Sequence, residues 1–150
     1  MKLEVTKRDL EAALKVASVG AAGTGSDITT HFVFRHDADT NRTEVLSNNG
    51  RLGVSVPLIC QATLSSDIRA FTVEAKRMTS WISAVDGVLT LEFDESDRKV
   101  AAKSARGGIR LNSLDADLFP YWDDTYKATE VGYSVQGKTM VSALSHVRPF

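Results

Sequence analysis

FTVEAKRMTSWISAVDGVLTLEF occupies residues 71–93, and DESDRKVAAKSARGGIRLNSLDADLFP continues it to residue 120. Ala70–Val73 reads as a short strand. Glu74–Val85 then reads as a helix, because Met78, Trp81, Ile82 and Val85 recur on one face. Its exposed side is basic and hydroxylic, and Asp86-Gly87 ends it. Val88–Phe93 and Lys99–Lys103 are expected to pair across the polar Asp94–Arg98 turn. Gly107–Leu111 is a further strand-like run, after which the segment closes on Leu114–Pro120.

The same order of elements stands ahead of this stretch. Lys2–Thr6 alternates as a half-buried strand does. Lys7–Gly20 reads as a helix with Thr6 as its N-cap, Asp9 in the first turn, and Leu10, Ala13, Leu14 and Ala17 on one face. Gly20 is its expected stop, and Ala21–Asp27 its following loop. Strand-like runs follow at His31–His36, Thr43–Asn48 and Arg51–Ile59, the last two joined by the turn-forming Asn48-Asn49-Gly50. Gln61–Asp67 is expected to be a loop. The chain thus repeats a β-α-β-β-β unit, in the order of elements far more than in residue identity. Asp115–Lys127 is an irregular connector, and Val131–Val135 with Gly137–Val147 restarts as a strand and a helix. A strand and a helix cannot bury a core alone, so the expected division is a domain over 1–122 and an incomplete second one over 123–150. The chain then reads as the amino-terminal portion of a longer protein.

The composition, 43% hydrophobic and 25% charged over 150 residues, is that of a soluble globular protein with room for a core. Lys and Arg total 18 against 19 Asp and Glu, a net charge of −1. Phosphate binding over the whole surface is excluded by that balance, whereas binding through one basic face is allowed. A lone Cys60 forms no internal disulfide, no stretch is long enough to span a membrane, and MKLEVTKRDLEAAL lacks the apolar core of a signal peptide. The expected location is cytoplasmic.

Taken together, the duplicated unit and the LDADLFP segment, in which an acidic residue precedes an aromatic and a proline, resemble the amino-terminal domain of the bacterial DNA sliding clamp, the DNA polymerase III beta subunit. The resemblance implies an α+β DNA-clamp domain with two helices packed on a curved antiparallel sheet. It implies a processivity factor, not an enzyme, that encircles double-stranded DNA without reading its sequence. Its implied partners are a DNA polymerase, a clamp-loader ATPase and further copies of itself in a homo-oligomeric ring, in the bacterial cytoplasm and nucleoid or in a host cytoplasm if phage-encoded. No cofactor is implied. The family's channel-facing helices offer Lys, Arg and small polar residues to phosphates through loose contacts, and the matching basic positions are Lys7, Arg8, Lys15, Lys76 and Arg77. Solvated helix faces carry such residues too. The last strand of the family's domain lies at the subunit boundary, which points to Arg106, Ile109 and Leu111 there. Ile109 and Leu111 equally suit this domain's own core. Phe119 is implied to plug the domain's base.

One departure concerns the loop after the first helix, where the family often carries an Arg that touches duplex. Here Thr24 and Gly25 stand in GAAGTGSD, with Asp27 nearby. GAAGTG is no nucleotide cradle, since a helix precedes it and a strand follows, the reverse of the phosphate-binding order. His31, His36 and His146 lack metal-ligand spacing, and His31 and His36 fall on opposite faces of one strand. No nucleophile motif frames any Ser. The acidic groups at 94–97, 115/117 and 123/124 fall in turns, so a two-carboxylate metal nuclease is the least poorly supported enzyme reading, and no catalytic or metal residue is assigned. The alternative to a clamp is a non-enzymatic viral or host interaction module that reuses the fold without encircling DNA.

Overall fold

Residues 1–23, 27–64 and 67–121 are described by the computed structural model. The expected strand at 131–135, the helix at 137–147, the domain from 123 onward, and Thr24 and Gly25 lie outside them.

The first half comprises β1 (Lys2–Thr6), α1 (Lys7–Ala17), β2 (His31–Asp37), β3 (Arg42–Asn48) and β4 (Gly53–Leu58), followed by a short β5 (Gln61–Thr63). The second comprises β6 (Ala70–Glu74), α2 (Ala75–Ser83), β7 (Val88–Asp94), β8 (Lys99–Ser104) and β9 (Gly107–Asn112). The strands form two antiparallel sheets, ordered β5-β1-β7-β8-β9 and β4-β3-β2-β6. Each half lends its first strand to the other's sheet: β1 pairs with β7, with Leu3 opposite Leu91, and β6 pairs with β2, with Phe71 opposite Phe34. The two repeats therefore interlock, and Met1–Pro120 is one compact unit.

One core joins both sheets and both helices. Leu10, Ala13, Leu14 and Ala17 enter it from α1, Met78 and Ile82 from α2, and Leu3, Leu89, Leu91, Phe32, Phe34 and Phe71 from the strands. Phe71 stacks on Phe34 at 5.1 Å and on Phe93 at 6.0 Å, which carries ring contact from one sheet to the other. The Thr6 hydroxyl accepts from the Asp9 N–H at 3.2 Å and donates to the Asp9 carboxylate at 2.7 Å, the cap that starts α1.

Three details differ from the sequence expectation. Gln61–Thr63 is a strand, because β1 would otherwise leave an open edge, and Ala62 pairs opposite Leu3. Cys60, Ala62 and Leu64, alternating along it, pack against the core. The α1 helix tightens into a 3-10 turn over Ser18–Gly20 before stopping. Gly20 is there for closeness, since a Cβ would stand 2.5 Å from the Ser47 hydroxyl and 2.9 Å from Val54.

The LDADLFP segment crosses the outer face of the four-stranded sheet. At one end Thr72 of β6 accepts from the Leu114 N–H at 2.7 Å, and its own N–H donates to the Ser113 hydroxyl at 3.0 Å. At the other, the Asn48 amide of β3 donates to the Pro120 carbonyl at 2.9 Å. Between them Asp115 caps a 3-10 turn over Ala116–Leu118, and Phe119 is buried.

Candidate nucleic-acid interface

The two helices touch each other, so their exposed faces make one surface. The five cations read from the sequence are not equivalent on it. Lys7 opens α1, donates its N–H to the Gly87 carbonyl at 2.8 Å, and holds its ammonium 3.6 Å from Asp86. Only a quarter of its side chain is exposed. Arg8 stands in solvent 3.7 Å from Asp9, and Arg77 lies 3.3 Å from Glu74. Lys15 and Lys76 are exposed and form no ion pair among the described residues. Lys15 also sits in the last turn of α1, where a cation complements the helix dipole.

Lys76 and Arg77 are neighbours in sequence but differ in pairing, Arg77 alone lying beside a carboxylate among the described residues. Arg77 faces a groove of about 550 Å³ bounded by Glu74, Ser80, Trp81 and Ile109, which Lys76 also borders. That groove adjoins β9, which ends its sheet and has no second strand partner among the described residues. Trp81, placed by periodicity on the apolar face of α2, packs against the core and is also partly exposed at this groove. Its place at the margin of the apolar face of α2, one residue before Ile82, is the signal that marks it.

The expected boundary residues separate in the same way. Arg106 is exposed in the β8–β9 turn, 3.2 Å from Asp86. Ile109 is half-buried and reaches the groove. Leu111 is fully buried in the domain's own core, so its side chain is not available to a neighbouring subunit. Of the two roles open to it, the core role is the one observed, since β6 packs against β9 and Leu111 joins the core cluster.

The titratable groups elsewhere serve local structure. His31 places Nδ1 3.1 Å from the Asp27 carbonyl, and burial pushes its pKa down. His36 places Nδ1 2.9 Å from the Thr43 hydroxyl. The Ser96 hydroxyl and N–H hold the Asp94 carboxyl below its usual range, and Thr40 does the same for Asp37, so both carboxylates organise turns. Burial raises the Cys60 thiol, which disfavours a reactive thiolate. Among the described residues no group of His, Cys, Asp and Glu is placed to hold a metal ion, and no helix is long and apolar enough to cross a membrane.

Solved structures give this arrangement a context. The chain is similar to the Helicobacter pylori beta clamp bound to a DNA ligase peptide, with 25% identity and a TM-score of 0.69 over 81% of this chain and 32% of that one. The beta subunit of DNA polymerase III from Thermotoga maritima matches with 18% identity and a TM-score of 0.69 over 89% and 34%. The DNA polymerase beta subunit of Streptococcus pyogenes matches with 16% identity and a TM-score of 0.68 over 90% and 34%. The chain spans about a third of the length of the clamps it matches. No protein-family model and no curated protein matches it. Its duplicated unit is the DNA-clamp domain fold, as the resemblance read from the sequence implied.

Proposed function

We propose that this chain, a DNA-clamp domain, is the first part of a sliding clamp that encircles duplex DNA and tethers a replicative DNA polymerase. Residues 1–122 are then its first domain and 123–150 the connector and start of a second. The observation that carries the reading is the pair of touching helices, with Lys15 and Lys76 unpaired, on a fold shared with solved beta clamps. Few free cations suit the task. Linkage by a closed ring is topological, so a weak, salt-sensitive grip on phosphates suffices and a tight one would hinder sliding.

Ring closure falls to β9 and the groove beside it. An open strand edge flanked by Trp81 and Ile109 is a surface that pairing with another subunit would cover. Arg77 and Arg106 belong to that edge. The partners are double-stranded DNA, a polymerase, a clamp-loader ATPase and further copies of the same subunit, and the protein acts without catalysis in the cytoplasm. The test is retention: the natural protein carrying this chain, loaded on nicked circular DNA by its loader, should stay bound and then slip off when the circle is cut. Equal retention on linear DNA would contradict it.

A second reading has one observation in its favour. Lys7, Arg8 and Arg77 each lie beside a carboxylate. A helix surface neutralised in this way also fits a non-enzymatic interaction module that keeps the fold without threading DNA.

A further inference from the structure

A cleft that includes no helix residue opens where the start of β6, the end of β7 and the LDADLFP segment meet. Two cavities of about 420 Å³ each share Ile68, Phe93 and Glu95, so the Phe93 side chain stands between them. Phe93, Ile68 and Leu114 are half-buried, which leaves apolar surface on the floor within reach of solvent. Phe93 also ends the column of rings that runs from Phe34 through Phe71, with neighbours 14° and 16° from parallel. That stack holds the floor in place before anything binds.

The rim of the first cavity carries Asp67, Glu95, Asp115 and Asp117 against Arg69 and Arg98. Arg98 stands 3.8 Å from Asp115. Asp67, Glu95, Asp117 and Arg69 are exposed and form no ion pair among the described residues. Three free carboxylates against one free guanidinium leave this rim acidic. Around the second cavity Lys99 lies 3.1 Å from Asp97 and Lys103 3.3 Å from Glu92, so neither offsets it.

We infer that this cleft docks a basic segment of a partner protein, which sets an apolar side chain on Phe93 and an arginine or lysine against Glu95 and Asp117. An apolar floor within a rim of one unpaired sign selects such a segment. Burial supplies affinity, and the carboxylates choose the partner. Arginine suits the site best, since a guanidinium pairs with a carboxylate while lying on an aromatic face. The inference goes beyond the clamp reading and does not depend on it, because no lining residue belongs to α1 or α2.

The test is anisotropy of a fluorescein-labelled peptide, GRFRG in one-letter code, titrated with the full chain, with GEFEG as its acidic counterpart. The parent should bind GRFRG and leave GEFEG free. Glu95→Gln with Asp117→Asn should weaken binding about three- to tenfold, and exposure of both residues should leave the melting temperature near that of the parent. Arg69→Gln removes the competing cation and should tighten binding about two- to threefold. Glu11→Gln, an exposed carboxylate on α1 outside the cleft, should change nothing. Equal binding of the two peptides, or weakening by Glu11→Gln as large as that at the cleft, would overturn the assignment in favour of unspecific attraction. Self-association of the chain that Glu95→Gln with Asp117→Asn abolishes would give the cleft to a second copy and overturn it too.

Discussion

The Asp86 carboxylate lies 3.2 Å from the Arg106 guanidinium, on the same short turn that brings it 3.6 Å from the Lys7 ammonium. One carboxylate thus stands between a cation expected to meet DNA and a cation expected to meet a neighbouring subunit. Both pairs are exposed enough at Asp86 to contribute little to stability, so their effect is on what the cations are free to do.

Replacing Asp86 by Asn should therefore act on binding before it acts on folding. Duplex association of the chain should strengthen at low salt, and its salt slope should steepen by up to about one as Lys7 becomes free for a phosphate. An unchanged slope would remove Lys7 from the DNA-facing set.

Ile109→Asp and Leu111→Asp should part company. Ile109 is half-buried at the groove, so the first should dissociate the natural oligomer while the melting temperature falls little. Leu111 is fully enclosed, and a buried unpaired charge there should cost folding itself. Light scattering with circular-dichroism melts separates the outcomes. Loss of folding in both variants would deny Ile109 an interface role.

Thr72→Val removes the hydroxyl that receives the Leu114 N–H and engages the Leu114 carbonyl on the crossing segment. Buried groups left without a partner cost about 1–3 kcal/mol each. Urea denaturation should show a loss of that order, with Thr72→Ser recovering most of it. A neutral effect would mean that the LDADLFP segment is held by Phe119 and its apolar contacts alone.

Acid should weaken the fold through His31. Its pKa is lowered in the folded chain by burial, so the unfolded chain binds the proton more readily, and stability rises with pH. That contribution is present above the ordinary value of 6.5 and is lost as pH falls through the lowered folded value. Urea denaturation over this window should show the decline, and His31→Gln should flatten it. A parent profile already flat there would contradict the assignment.

Local chemistry was legible in the sequence where a few neighbouring residues settle it. The Thr6–Asp9 cap, the Asn48-Asn49-Gly50 turn and the apolar faces of both helices are of this kind. β5 escaped because three residues are too short for a period, although Cys60, Ala62 and Leu64 alternate through it. Periodicity places Ile109 and Leu111 on one face of β9, but only the covering elements decide which of them is enclosed. The site was legible as a set of cations and not as a field. The partner of Lys7 lies far along the chain at Asp86, and no spacing rule connects them.

The most direct test of the central claim is the solution mass of the natural protein that carries this chain, measured by light scattering over a dilution series. The account predicts a closed dimer or trimer that resists dilution and is reduced to single subunits by Ile109→Asp. A stable monomer would contradict it, leaving the clamp fold without the ring.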